Sequence, residues 1–219
     1  MSKVLILVEG QAEETFVKRV LAPYLSTKGV LLIPKLATTK RVKSGTDFKG
    51  GIVSFGKTRN DILRLLKDTS AVAVTTLIDF YGLPTDFPGH KGTPKGSCYD
   101  RVAHLEQSFK EDVNHSKFIP YFAVHEFEAM LFVAPQYFAK LFPEKLSLSD
   151  SLFKIKSDFS SPEEIDEGPA TAPSKRLLSL APQYRKPLHG SIATADTGIE
   201  QIRKECPHFN EWLTKLESL

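Results

Sequence analysis

The chain has 219 residues, of which 41% are hydrophobic and 25% are charged. These proportions are typical of a folded globular protein and argue against a disordered or fibrous one. The formal net charge of +3 is compatible with a nucleic-acid partner without requiring one, and the two cysteines, Cys98 and Cys206, support neither a disulfide framework nor a structural zinc site.

The first predicted elements are a strand, a tight turn and a helix. Residues 4–8 form a short apolar run with β-branched side chains, which is typical of a strand buried on both faces of a parallel sheet. This run is too short for a signal-peptide core, and no segment approaches the roughly 20 apolar residues of a membrane span. We therefore expect a cytoplasmic protein without membrane association. Residues 16–25 then carry an apolar stripe at helical spacing.

The next elements continue the alternation of strands and helices. Strands are predicted over residues 30–36 and 72–78, with a short helix between them, within residues 60–67. A helix over 99–111 precedes a fourth strand over 118–124, although Pro120 restricts that strand to a sheet edge or to a later start. From residue 135 onward the pattern is helical and rich in loops.

This order of elements predicts an α/β fold with a mainly parallel sheet covered by helices. We assign residues 1–134 to an α/β domain and residues 135–219 to a helical C-terminal cap packed on it. The sequence contains no internal repeat, no low-complexity tract and no heptad pattern.

Acidic residues follow three of the predicted strands. Glu9, Asp79, and the pair Glu126 and Glu128 occupy these positions, and Glu13 lies in the first turn of the first helix. Ligands of open parallel sheets bind outside the carboxyl ends of the strands, where these acids would converge. Carboxylates are the ligands that Mg²⁺ prefers, so the set predicts a site for Mg²⁺ or Mn²⁺. Each acid taken alone could instead be only a helix cap or a turn former.

Three short motifs carry a resemblance to a known family. The segments LVEGQAEE (residues 7–14), LIDFY (77–81) and HEFEA (125–129) resemble the Toprim fold of topoisomerases, primases and the overcoming-lysogenization-defect (OLD) nucleases. The chain as a whole resembles a bacterial Toprim-like family of unknown function. That similarity includes residues 172–177 and 206–209.

The resemblance implies roles for individual acids. Glu9 would act as general acid or metal ligand, and Asp79 would hold the metal. Many Toprim proteins carry Asp-x-Asp after the third strand, whereas the second acidic position is Tyr81 here, which leaves one metal or two open. Glu126 or Glu128 would supply the missing carboxylate. Helical spacing sends residues two apart to different faces, which favours Glu128 as the direct ligand.

Basic residues provide candidates for phosphate contacts. Lys40, Arg41 and Lys43 lie in a glycine-containing loop that could follow a nucleic-acid backbone, or could be an ordinary solvated loop. Lys95, in the glycine-rich stretch after Asp79, is a candidate for stabilising charge on a phosphoryl transition state, with a flexible loop as the alternative.

A second basic group lies in the C-terminal part. Lys175 and Arg176, together with Lys186 and His189, could form a phosphate clamp or be helix-surface charges.

Two functions from different classes follow. The first is a divalent-metal-dependent nuclease, working with a separately encoded ATPase in phage defence as the resemblance implies. The second is a noncatalytic Toprim-like module that binds nucleic acid or a partner protein, which Tyr81 in place of an acid favours. The sequence leaves open DNA versus RNA, endo- versus exonuclease action and the oligomeric state.

Overall fold

The computed structural model describes residues 1–38, 51–165 and 168–219. Within this part the chain forms a five-stranded sheet in which every pairing is parallel. The strands are β1 (Ser2–Val8), β2 (Val30–Leu36), β3 (Ala73–Asp79), β4 (Phe118–Ile119) and β5 (Phe122–Ala123). The order across the sheet is β2-β1-β3-β4, and β5 also pairs with β3. The predicted mainly parallel sheet covered by helices is confirmed.

The burial of each strand follows its position in the sheet. All seven residues of β3 are buried, as are the last five of β1, because both strands are central and covered on two faces. β2 is an edge strand, where burial is partial and Pro34 is tolerated although it has no N–H to donate.

The fourth predicted strand is interrupted at Pro120 and Tyr121. Thr76 of β3 repairs the interrupted pairing, because its hydroxyl donates to the Tyr121 carbonyl (2.7 Å) and accepts from the Tyr121 N–H (2.8 Å). β4 and β5 therefore continue along the same side of β3 despite the proline. β5 therefore pairs with the end of β3, where Asp79 lies.

Helices cover both faces of the sheet, in agreement with the twofold alternation of strand side chains. Val4, Ile6 and Val8 share one core with the first helical run and the last two helices. Leu5 and Leu7 share the opposite core with two central helices. The first layer comprises α1 (Gln11–Phe16), the π-helical Val17–Leu21, α2 (Ala22–Ser26), α9 (Ile199–Glu205) and α10 (Pro207–Glu217), and the second comprises α3 (Phe55–Leu65) and α4 (Cys98–Val113).

A third core lies in the helical part of the chain, built around residues such as Phe138 and Leu152. Its elements are a 3-10 segment (Phe127–Phe132), α5 (Pro135–Ala139), α6 (Leu148–Ser157), a 3-10 turn (Pro162–Glu164), α7 (Pro173–Leu180), a π-helical turn (Lys186–Gly190) and α8 (Ser191–Thr197). The division after residue 134 stays a prediction, since α9 and α10 contribute to the core beneath the sheet. None of the described helices is long and apolar enough to cross a membrane.

Candidate functional site

Two acids meet where neighbouring strands end. β1 and β3 are adjacent and parallel, so Glu9, which follows β1, and Asp79, the last residue of β3, lie at the same edge of the sheet. The Asp79 N–H donates to Glu9 Oε2 at 3.1 Å. The sheet backbone therefore holds the two side chains side by side, as expected for the carboxyl ends of adjacent parallel strands.

A third acid reaches this edge from the first helix. Glu13 lies in the first turn of α1, where the helix dipole favours a negative charge, and its side chain is buried. Gly10 permits this approach, because a Cβ at that position would lie only 3.2 Å from Glu13 Oε2. The Glu-Gly-x-x-Glu spacing therefore folds Glu13 back toward the strand ends.

The sharp turn after β5 separates Glu126 from Glu128. His125 adopts the left-handed conformation (φ 61°), and Glu126 returns to extended backbone. Glu126 accepts hydrogen bonds from the N–H and the hydroxyl of Ser174, both at 2.8 Å, so its carboxylate faces α7. Glu128 is buried and faces the strand ends. The structure thus brings together Glu9, Glu13, Asp79 and Glu128, which we call the carboxylate cluster, and leaves Glu126 outside it.

The amine of Lys186 lies within the carboxylate cluster. Its Nζ atom is 2.9 Å from Glu13 Oε1, 3.0 Å from Asp79 Oδ2 and 2.9 Å from Glu128 Oε2. The π-helical turn Lys186–Gly190 carries this lysine. Gly190 allows the turn to pack closely, because a Cβ there would be 3.2 Å from the ring of Phe127. One ammonium group therefore balances acids that come from three separate parts of the fold.

Hydrogen bonds from neighbouring groups hold the acids in place. The Phe127 N–H donates to Asp79 Oδ1 at 2.8 Å, so the 3-10 segment anchors the acid of β3 directly. The Tyr184 hydroxyl lies 3.4 Å from Glu128 Oε1, and Lys186 Nζ lies 5.7 Å from the centre of the Phe127 ring. Phe127 and Tyr184 therefore hold Asp79 and Glu128 in place.

Burial dominates the electrostatics of the cluster. Burial raises the pKa of Glu9 to about 8, and the charges of Asp79 and Glu13 add to this shift. Burial likewise raises the pKa of Asp79 to about 7, although Lys186 opposes the shift, and it raises the pKa of Glu128. Burial disfavours the charged amine of Lys186, but the attraction of the three acids outweighs it and raises its pKa well above the usual value. Near neutral pH, Glu9 and Asp79 therefore hold protons part of the time.

The donor set is chemically suited to a hard divalent cation. Carboxylates of Glu13, Asp79 and Glu128 converge on one position, and such oxygens are the ligands that Mg²⁺ and Mn²⁺ prefer. The oxygens would have to close in by roughly 1 Å from their present distance to reach Mg²⁺ bonding distance. In the arrangement seen for the described residues, no group of three or more His, Cys, Asp or Glu side chains is ready to hold a metal ion.

Comparisons with known proteins identify the family. The sequence profile of a domain of unknown function, DUF4276, matches residues 8–217. The chain belongs to the DUF4276 family. No curated protein matches the chain. A solved structure of the C-terminal region of the Burkholderia pseudomallei OLD protein is similar, with 14% identity and a TM-score of 0.48 over 100% of this chain and 98% of that one.

The basic residues predicted to bind nucleic acid, and the predicted catalytic Lys95, have different surroundings in this DUF4276 chain. Lys40, Arg41 and Lys43 fall outside the described residues. Lys95 is exposed in the loop before α4 and pairs with no acid of the described chain. Lys95 as a catalytic group therefore stays a prediction without a contact to support it.

The two basic residues of α7 have different surroundings. Lys175 is exposed, whereas Arg176 donates to the Thr171 carbonyl at 2.6 Å and lies 5.8 Å from the centre of the Phe159 ring. Their role in nucleic-acid binding stays a prediction.

Lys186 is the residue whose position the sequence did not reveal. Its grouping with Lys175 and Arg176 as a candidate phosphate clamp placed it among basic residues, whereas the structure places it among acids. It lies 107 positions from Asp79 along the chain, and no local motif marks the contact. Charge balance was the one available signal, because a cluster of buried acids requires a counter-charge.

Proposed function

We propose that the chain is a divalent-metal-dependent nuclease that hydrolyses phosphodiester bonds of nucleic acids. One observation carries the proposal: carboxylates from β3, the start of α1 and the 3-10 segment surround a single cation position at the carboxyl edge of a parallel sheet. Ligand sites of open parallel sheets occur at this edge. The resemblance of the three acidic motifs to Toprim proteins supports phosphodiester chemistry.

Each acid has a role in this proposal. Asp79, Glu13 and Glu128 would hold Mg²⁺ or Mn²⁺, and the bound ion would polarise a phosphoryl oxygen and lower the pKa of a bound water. Glu9 would hold a proton, because burial raises its pKa to about 8, and would pass it to the departing oxygen as general acid. The Asp79 N–H fixes Glu9 through Oε2, which leaves the other carboxyl oxygen for proton transfer.

The biological setting is the finer part of the proposal. The same resemblance supports DNA or RNA as substrate, a separately encoded ATPase as partner and a role in phage defence. The exposed Lys95 and Lys175 are candidates for contacts with the substrate backbone, which would make binding dependent on salt.

A cleavage assay with matched glutamates tests the proposal. Purified protein is incubated with single- and double-stranded DNA and RNA in Mg²⁺, in Mn²⁺ or in EDTA. We expect cleavage that requires the metal and is lost in Glu13→Gln. Glu14→Gln is the control, because Glu14 is the adjacent acid but pairs with Lys18 at 2.6 Å, outside the cluster. Equal cleavage by both variants would refute the assignment of the site.

The second candidate function is a noncatalytic binding module. Its support is Lys186, whose ammonium fills the cation position of the cluster, together with Tyr81 at a position where Toprim proteins carry an acid. In that case the protein would bind nucleic acid equally well in Mg²⁺ and EDTA and would cleave none of the substrates. Binding measured by fluorescence anisotropy under both conditions separates the two functions.

A further inference from the structure

The amine of Lys186 occupies the position that a divalent cation would take. Its Nζ atom lies 2.9–3.0 Å from oxygens of Glu13, Asp79 and Glu128. These are the three acids whose oxygens converge on one point. An ammonium and a metal ion therefore cannot share this position, because both would need the same oxygens.

The ammonium satisfies the acids incompletely. It brings one positive charge to four carboxylates, whereas a divalent ion would bring two. Its N–H groups are also directional: Nζ donates to Asp79, whereas Glu128 Oε2, although 2.9 Å away, receives no well-directed hydrogen bond within the described chain. A divalent metal ion can bind one oxygen of each acid directly and would therefore satisfy all three acids more fully.

The lysine has a route out of the cluster. Its side chain is 27% exposed, whereas the side chains of Glu13 and Glu128 are 4% and 2% exposed. Arg185 and Pro187 on either side are exposed as well. Rotation of the four-carbon stem would carry the amine to solvent, while the acids remain fixed by buried backbone. The lysine side chain is therefore more exposed than the three acids that its amine contacts.

We propose that Lys186 is a tethered cation that competes with the divalent metal for the carboxylate cluster. The lysine neutralises the buried acids while the metal is absent and leaves when the metal binds. This inference rests on the proposed metal site, and it assigns to Lys186 control over metal affinity. Anything that draws the amine outward would favour metal binding, since the two cations exclude each other.

A pair of lysine variants tests the competition by metal binding alone. Mn²⁺ affinity is measured by calorimetry for wild type, Lys186→Met and Lys3→Met. Lys3 is the matched control, because its side chain is 29% exposed and pairs with one acid, Asp68, at the opposite end of β1. Lys186→Met should bind Mn²⁺ at least about tenfold more tightly than wild type, because a competing charge at contact distance is gone. Lys3→Met should bind like wild type.

A measurement on the wild-type protein covers the case in which Lys186→Met fails to fold. Amines are acetylated under limiting reagent with and without saturating Mn²⁺, and each lysine is quantified by peptide mass spectrometry. Lys186 should be protected without Mn²⁺ and become at least about fivefold more reactive with it, because the amine moves into solvent. The reactivity of Lys3 should stay constant.

The outcomes separate the inference from the proposed function. If wild type binds Mn²⁺ but Lys186→Met binds it no more tightly, or Lys186 stays protected in saturating Mn²⁺, the competition is refuted while the metal site stands. If neither wild type nor a folded Lys186→Met binds Mn²⁺ at millimolar concentration, the metal site and the competition are both refuted.

Discussion

Two buried acidic groups in this protein are built in opposite ways. In the carboxylate cluster, one ammonium contacts three of the four acids, and burial raises the pKa of Glu9, Asp79 and Glu128. In the second group, which we call the His208 network, Glu163 accepts from the N–H groups of His208 and Phe209 at 2.9 Å each. Glu106 accepts from the Phe122 N–H and contacts the His208 ring, both at 2.9 Å.

The difference lies in how each carboxylate is compensated. In the His208 network each acid has its own partners, and Glu163 caps the first turn of α10. In the carboxylate cluster the negative charges outnumber the positive ones, so protons or another cation must make up the balance. Burial of a carboxylate therefore does not by itself indicate a functional site. A surplus of uncompensated negative charge does indicate a functional site, because such a surplus lowers the stability of the fold and a purely structural role would not require it.

We expect the largest difference between the two groups when one acid of each is neutralised. Asp79→Asn should lower Mn²⁺ affinity and cleavage at least about 100-fold. Replacing even the residues that hydrogen-bond to metal ligands lowers metal affinity or activity about 10–100-fold, and Asp79 would be a ligand itself. Glu163→Gln should change neither quantity, although it removes a buried carboxylate too. Calorimetry and cleavage assays test both variants, with melting curves as the check on folding. Similar effects of the two substitutions would contradict the distinction.

The next largest effect concerns the counter-charge. In EDTA at pH 8, Lys186→Met should lower the free energy of unfolding by about 3 kcal/mol, because buried acids lose their only cationic partner among the described residues. Lys3→Met should cost at most about 1 kcal/mol, since its ion pair with Asp68 is partly exposed. Urea denaturation measures both. A loss for Lys186→Met as small as that for Lys3→Met would show that the acids need no counter-charge.

The acids of the carboxylate cluster should also make the stability of the protein depend on pH. Folding raises the pKa of Glu9 from 4.5 to about 8 and that of Asp79 from 3.8 to about 7, so the native state binds more protons than the unfolded state between these values. The free energy of unfolding without metal should therefore fall as pH rises from about 5 to 8, by up to about 1.4 kcal/mol per pH unit for each group. Glu9→Gln should flatten the curve. A stability that rises over this range in EDTA would contradict the raised pKa values.

The smallest expected effect belongs to the His208 network. Burial disfavours a charged His208, but the contact with Glu106 outweighs it and raises the pKa of the ring above 6.5. The stabilisation that charged His208 gains from Glu106 is present below pH 6.5 and is lost as pH rises through the raised pKa. The stability difference between wild type and His208→Gln should therefore shrink from pH 5.5 to 8.5. Mn²⁺ affinity should not change, and a change would link the two groups.

The sequence by itself determined the parallel sheet and the choice of acids. β-branched apolar runs and helical stripes set the alternation of strands and helices, and the structure confirms the resulting α/β fold. Because the carboxyl ends of parallel strands share one edge, the acids after β1 and β3 could be expected to meet. Four of the five nominated metal ligands do lie together, although their role stays a prediction.

Only the tertiary structure decided which acid turns away and which cation enters. Glu126 leaves the cluster because the left-handed His125 turns the chain and Ser174, 48 positions away, supplies two donors. Lys186 enters because the π-helical turn docks on Phe127 and α1, bringing together residues 107 positions apart. Periodicity and turn signals report on neighbours along the chain, whereas these contacts depend on how distant segments pack, and so no local pattern could predict them.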